Sequence, residues 1–203
     1  MKGVAATKVP VPYHDKTDLI AATGQDYIPA LDWGGRVVPW TAIPGFLETE
    51  VPTPTLFPGG QVGLATIVDD WGHHQLEEKV WRVVVTRVAE TFADPRERWV
   101  FEEMQTRSRG PWGVLESRRA EFLADLEPEL SWIDRTLEGR EWLLGSPSLA
   151  DFGVFGGLSP LRLVGEPLPP RLGRLAAWAD RVQALRAAGP ANGSSGRHPV
   201  TST

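Results

Sequence analysis

The densest group of chemically active side chains lies in the segment 69–78, where four acidic residues surround two histidines. Carboxylates beside imidazoles form the donor sets of many metal sites. Adjacent residues on a helix point about 100° apart, however, so His73 and His74 are poorly placed to share one ion. The pattern favours an acidic helix N-terminus that complements the helix dipole, with solvated histidines, and it predicts no metal site.

Nucleophilic chemistry has little support in the sequence. The chain contains no cysteine, which removes disulfides, thiolate metal sites and a cysteine nucleophile. Ser108, Ser117 and Ser159 have no histidine placed by the sequence to activate them, so a hydrolase is disfavoured. Arginines alternate with glutamates over 96–109, which indicates an ion-paired surface rather than an anion site.

Composition excludes further classes of protein. The 203 residues are 41% hydrophobic and 23% charged, as expected of a globular chain with one large or two small domains. The net charge of −5 argues against a nucleic-acid-binding surface. No apolar run approaches the roughly 20 residues of a membrane-spanning helix. The N-terminus lacks the apolar core of a secretory signal, so the expected compartment is cytoplasmic.

Residues 1–60 have the pattern of a small α/β domain. Asp32-Trp33-Gly34-Gly35 predicts a hairpin turn, because glycine readily adopts positive φ. Two short helices are predicted, over 15–23 and 41–48. Three apolar runs predict strands, at 9–11, 27–31 and 36–38. The Pro- and Gly-rich segment 51–60 is expected to be a linker.

The remainder, 65–187, has helical periodicity and predicts an all-α bundle. One apolar stripe recurs every four residues, at Leu76, Val80, Val84, Val88 and Phe92. Asp94-Pro95 is expected to start the next helix. Apolar residues from Leu115 to Leu137 predict a longer helix, and a last helix is predicted over 172–185. Residues 188–203 carry no apolar pattern and are expected to form a disordered tail.

The start of one further helix is marked by Gly145-Ser-Pro-Ser-Leu-Ala-Asp-Phe152. Ser148 can accept a hydrogen bond from the Asp151 N–H, while the Asp151 carboxylate accepts one from the Ser148 N–H. This reciprocal pair is a capping box, and Pro147 and Phe152 are placed for the accompanying hydrophobic staple.

These motifs together resemble those of the glutathione S-transferase superfamily. The capping-box segment resembles the start of that family's central buried helix. Gln25 to Leu31 resembles its loop into the third strand, where a proline follows a cis peptide bond, and Thr41 to Glu48 resembles the following helix. The resemblance covers about residues 3–185. It implies an incomplete thioredoxin-like domain over 1–60, followed by the helical domain.

The resemblance also implies a binding site and an activity. Glutathione would pair strand-fashion with the backbone of Ile28, which precedes Pro29, while Trp40 and Thr41 would flank the γ-glutamyl end. Helix residues after Trp71 would line a pocket for a small electrophilic molecule, which the enzyme would conjugate or isomerise. A homodimer is also compatible with the family.

Two departures from the family pattern bear on this activity. The family's domain opens with a strand and a helix that carry the Tyr, Ser or Cys activating the thiol. Here residues 2–11 already resemble the end of that helix and the second strand, so the first βα unit and its activating residue are absent. Relatives usually offer an acidic residue and Ser to the γ-glutamyl group, where this chain has Pro39-Trp40.

Three explanations account for these departures. In the first, the coding start is placed too late and a longer protein carries the missing unit. In the second, the chain is a non-catalytic scaffold. In the third, a residue supplied elsewhere activates the thiol. The first is favoured, then the second. The segment 69–77, with Asp-Asp-Trp followed by Leu-Glu, also resembles bacterial glutathione-transferase-like proteins related to metaxins, which supports the scaffold.

Overall fold

The computed structural model describes residues 1–187, which form a two-stranded antiparallel sheet and a set of helices. The first part of the chain contains α1 (Thr17–Thr23), β1 (Ala30–Trp33), β2 (Arg36–Pro39), a 3₁₀ turn (Trp40–Ala42) and α2 (Ile43–Glu50). The helices that follow are α3 (Val62–Trp71), α4 (Glu77–Ala89), α5 (Pro95–Arg109), α6 (Trp112–Ser117), α7 (Arg119–Thr136), α8 (Leu149–Leu163) and α9 (Gly173–Ala187). A second 3₁₀ turn lies at Pro58–Gly60, and one turn of π-helix, Gly72–Leu76, joins α3 to α4.

The predicted hairpin is confirmed. Trp33 pairs with Arg36, so Gly34 and Gly35 form a two-residue turn. Their φ values are 62° and 89°, which match the type I′ turn favoured between antiparallel strands. The Asp32 side chain accepts a hydrogen bond from the Gly35 N–H at 2.8 Å and fixes the turn further.

The strand predicted at 9–11 is wrong. Val9 is 79% exposed and the segment pairs with no other strand in residues 1–187. Pro10 and Pro12 have no N–H to donate to a ladder, which opposes pairing along this segment. The chain is held instead by Tyr13, whose N–H donates to Glu97 at 2.7 Å and whose ring packs against aromatic side chains of the helical part.

Helix α8 forms the centre of the bundle, as the family resemblance implied. Ten of its fifteen residues are buried, and it packs against α3, the π-helical turn, α4 and α9. The predicted stripe from Leu76 to Val88 is buried in this core, whereas Phe92 lies beyond the end of α4 and is half-buried against it. Asp94 caps α5 by accepting a hydrogen bond from the Arg96 N–H at 2.7 Å.

The single long helix predicted from Leu115 to Leu137 is also wrong. The chain breaks at Arg118, whose φ of −99° and ψ of 5° are not helical, and forms the separate helices α6 and α7. Both segments still bury their apolar residues in the same core, so the periodicity located the buried face correctly. The break itself has no Gly or Pro to mark it in the sequence.

Glycines allow the backbone of α8 to contact the backbone of α3 and of the π-helical turn directly. A Cβ added to Gly72 would lie 2.7 Å from the carbonyl carbon of Gly153 and 2.8 Å from the Val154 nitrogen. A Cβ on Gly157 would overlap the carbonyl oxygen of Gly72. Only glycine therefore fits where these two helical segments cross.

The described residues contain no helix long and apolar enough to cross a membrane. The tail expected over 188–203 lies outside the described residues. The division at about residue 60 stays a prediction, and side chains cross it: Met1 and Phe57 pack beside Leu149 of α8.

Candidate functional site

The hairpin register brings the four residues expected to bind glutathione to one end of the sheet. Ala30 pairs with Pro39 in the antiparallel ladder. Ile28 and Pro29 come directly before β1, and Trp40 and Thr41 come directly after β2. Because the strands are antiparallel, these two pairs of residues lie at the same end of the hairpin.

Ile28 offers an unoccupied backbone edge at this end. The Ile28–Pro29 peptide bond is cis, as the sequence resemblance implied. The Ile28 side chain is 61% exposed, and its backbone N–H and C=O take part in none of the hydrogen bonds formed within residues 1–187. Ile28 therefore presents one backbone donor and one backbone acceptor without a partner among the described residues.

Trp40 connects the hairpin end to the helical part of the molecule. Its half-buried indole meets the His73 imidazole edge to face, with ring centroids 6.1 Å apart. On its other side the imidazole approaches α8, where a Cβ added to Gly156 would lie 3.4 Å from the His73 ring. His73 thus lies between the hairpin and the central helix.

The acidic residues around His73 do not form a helix N-terminus, contrary to the sequence-based interpretation. Asp69 and Asp70 end α3, Glu77 begins α4, and the π-helical turn between them continues the helix without a break. Such π-helical turns occur frequently at functional sites. The sequence gives no signal of the long-range contact with Trp40. It does show the spacing of four residues from Asp69 to His73 and from His73 to Glu77.

Carboxylates on both sides stabilise the protonated form of His73. Its Nε2 lies 3.4 Å from the Asp69 carboxylate and its Nδ1 lies 4.0 Å from the Glu77 carboxylate. The hydrogen bond to Asp69 raises the pKa of His73, and the charges of Asp69, Glu77 and Asp70 add to this effect, while partial burial opposes it. The side chain is 37% exposed, so solvent screens part of the interaction.

A pH dependence of stability follows from this raised pKa. The His73–Asp69 interaction stabilises the fold fully below the unfolded-state pKa of about 6.5, and the stabilisation is lost as the pH rises through the higher folded-state value. We expect the difference in unfolding free energy between the wild type and His73→Gln to be largest below about pH 6.5 and to shrink as the pH rises above that value.

Chemical denaturation at several pH values measures this difference. The Asp69→Asn variant provides the control, because it keeps the imidazole and removes its main partner. A His73→Gln difference that is constant across this pH range would contradict the proposed pairing.

The two histidines have separate carboxylate partners. The His74 Nδ1 lies 3.1 Å from the Asp70 carboxylate and 3.0 Å from the Asp70 carbonyl oxygen, while His73 faces Asp69. Within residues 1–187 no group of three or more His, Asp or Glu side chains is arranged to hold a metal ion.

The capping-box residues form a buried polar junction that extends beyond the helix start. The capping box between Ser148 and Asp151 is present, and both residues are fully buried. One Asp151 oxygen accepts hydrogen bonds from the Ser148 N–H at 3.0 Å and the Ser148 hydroxyl at 2.7 Å. The other accepts from the Leu143 N–H at 2.9 Å and the Trp178 indole N–H at 2.8 Å. Asp151 therefore joins α8, the preceding loop and α9.

Comparison with protein-family models and with curated proteins finds no match. Among solved structures the chain is similar to a GST-like protein from Pseudomonas syringae, with 24% sequence identity and a TM-score of 0.53. The match covers all of this chain and 70% of that chain. At this identity the likeness shows the fold alone. The chain therefore has a glutathione S-transferase-like fold, with a short thioredoxin-like part followed by a helical domain.

Proposed function

We propose that the hairpin end is a glutathione site, which a full-length protein with the activating residue would use to conjugate or isomerise small electrophilic molecules. The observation that carries this proposal is the unoccupied Ile28 backbone at the same end of the hairpin as Trp40 and Thr41, where the Trp40 ring contacts His73 of the helical part. The cysteinyl unit of glutathione would pair with the N–H and C=O of Ile28. Its γ-glutamyl end would lie between Trp40 and Thr41.

The proposed place for the electrophile is a cavity beside α8. A cavity of about 270 Å³ is lined by Met1, Phe152, Phe155, Gly156 and Ser159, together with two residues of α9. Gly156 also borders the His73 ring, which contacts Trp40, so this residue links the cavity to the surroundings of the hairpin end. Its apolar lining suits an uncharged electrophile with an aromatic or aliphatic body.

The same groups predict weak binding by this chain. Two backbone hydrogen bonds contribute a net ~1 kcal/mol each. Sub-millimolar affinity requires about −5 to −6 kcal/mol, so we expect a dissociation constant above about 1 mM. We also expect little retention on immobilised glutathione and negligible conjugation of a generic electrophile, because a free thiol has a pKa of about 8.5 and the sequence supplies no counterpart of the family's activating residue.

A non-catalytic interaction scaffold is the second candidate. Pro39-Trp40 favours it, because Pro39 has no N–H and neither side chain can form an ion pair with a ligand ammonium group. The resemblance of the segment 69–77 to metaxin-related proteins also favours the scaffold.

The nucleotide sequence ahead of the Met1 codon distinguishes these candidates. An in-frame strand and helix carrying Tyr, Ser or Cys would support the transferase, and the extended protein should then bind glutathione and conjugate electrophiles. An in-frame stop codon would support the scaffold. An extended protein with such a residue and no rate enhancement would contradict the transferase proposal.

A further inference from the structure

The position of the Trp40 indole depends on one side chain of the helical part. The main contacts of β1 and β2 are with each other, and those of the 3₁₀ turn that begins at Trp40 are with α2. Trp40 is half-buried, yet within residues 1–187 it is not among the apolar side chains that pack on the two clusters of buried apolar residues. Its aromatic contact is with the His73 imidazole. A change at His73 should therefore be felt at Trp40.

His73 is itself held in a defined place by α3 and α8. Its Nε2 lies 3.4 Å from the Asp69 carboxylate. A Cβ on Gly153 would overlap that carboxylate, and a Cβ on Gly156 would lie 3.4 Å from the imidazole. Two glycines of α8 therefore leave the space that the Asp69–His73 pair occupies.

The charged groups that face the imidazole favour its protonated form. Three carboxylates of α3 and α4 act on it, those of Asp69, Asp70 and Glu77. The groups that meet it from the other two sides, the Gly156 backbone of α8 and the Trp40 indole, carry no charge. The neighbouring His74 pairs with the Asp70 carboxylate at 3.1 Å. The pKa of His73 therefore lies above its ordinary value, chiefly because of the hydrogen bond to Asp69.

The protonated imidazole holds the indole more strongly than the neutral one, because an aromatic ring attracts a nearby cation. The ring centroids are 6.1 Å apart, at the outer limit of about 6 Å for this attraction. A partly exposed contact of this kind changes an equilibrium by about two- to fivefold. The neutral edge-to-face pair remains at higher pH, so loss of the proton loosens Trp40 without releasing it.

We propose that His73 is a positioning residue of the hairpin end, which in its protonated form fixes the Trp40 indole and thereby strengthens the binding of a γ-glutamyl peptide. This inference rests on the proposed glutathione site at Ile28. His73 is protonated in mildly acidic solution and loses its proton as the pH rises above about 6.5 and through the raised folded-state pKa. The hairpin end should therefore bind its ligand most tightly at mildly acidic pH.

The first part of the test needs no ligand. The Trp40 indole N–H is followed by NMR of the full chain as a function of pH, and Trp40→Phe identifies its signal. We expect the signal to titrate with a midpoint above about pH 6.5. Asp69→Asn should move this midpoint to lower pH, and His73→Gln should abolish the titration. His74→Gln is the matched control and should leave it unchanged.

The second part measures binding of S-methylglutathione, which has no thiol to ionise, at about pH 6 and about pH 8. We expect the dissociation constant of the wild type and of His74→Gln to be about two- to fivefold lower at the acidic pH. His73→Gln should retain only the pH dependence that comes from the amino group of the ligand. His73→Arg stays charged at both pH values, so it should bind as tightly as the wild type does at the acidic pH.

The two proposals fail in different ways. An indole signal that does not titrate, or that titrates equally in His73→Gln, would overturn the positioning role. So would binding at Ile28 and Thr41 with the same pH dependence in the wild type and in His73→Gln, although the glutathione site would then stand. Absence of binding at both pH values in the wild type would overturn the glutathione site, and the positioning role with it.

Discussion

Replacing Asp151 with alanine should reduce the unfolding free energy by about 4 kcal/mol or prevent folding. The carboxylate is fully buried and accepts four hydrogen bonds. Its loss leaves the N–H groups of Leu143, Ser148 and Trp178 without their acceptor, at about 1–3 kcal/mol each. A capping box alone would account for only about 1 kcal/mol.

Two further variants, compared by chemical denaturation, distinguish the contribution of the capping box from that of the Leu143 and Trp178 hydrogen bonds to Asp151. Ser148→Ala removes one hydroxyl and keeps the Asp151 acceptors, so it should cost about 1 kcal/mol. Asp151→Asn keeps the side-chain volume and one acceptor oxygen, and should lie between the two. If Asp151→Ala costs no more than Ser148→Ala, the carboxylate does not hold α9 and the preceding loop to α8.

Gly157→Ala should destabilise the protein by more than about 2 kcal/mol, although alanine is the better helix former. The new Cβ would overlap the Gly72 carbonyl oxygen, which is backbone and cannot rotate away. The crossing of α8 with the π-helical turn would have to open. The unfolding midpoint measures this loss.

The neighbouring Gly156 provides a matched control on the same helix. A Cβ there would contact only the His73 ring, at 3.4 Å, and a small movement of the imidazole would accommodate it. Gly156→Ala should also gain about 1 kcal/mol because alanine has the higher helix propensity. We expect it to be neutral or stabilising. Equal effects of the two substitutions would contradict the close helix crossing.

Local patterns in the sequence predicted the elements well where neighbouring residues decide the structure. Gly34-Gly35 predicted the hairpin turn and Asp94-Pro95 predicted the start of α5. Ser148 with Asp151 predicted the start of α8. The capping box was correctly predicted, but the Leu143 and Trp178 donors were not, because they come from a loop and a helix that reach Asp151 only in the folded chain.

Errors arose where tertiary contacts override local preference. The apolar run 9–11 has the composition of a strand, but Pro10 within it and Pro12 after it oppose pairing, and the segment is fixed by Tyr13 instead. The acidic segment 69–78 was interpreted as a helix start, because nothing local indicates that α3 continues through a π-helical turn into α4. That continuation places His73 against Trp40.

The most direct measurement of the central proposal is an NMR titration of the full chain with glutathione, observing backbone amides and tryptophan indole N–H groups. Trp40→Phe identifies the Trp40 indole, and Trp132→Phe, an exposed tryptophan on α7, is the control. We expect shifts that begin to saturate only in the millimolar range, at Ile28, Trp40 and Thr41 and at His73, with none around Trp132. Shifts elsewhere, or none at the hairpin end at glutathione concentrations well above 1 mM, would contradict a glutathione site at Ile28.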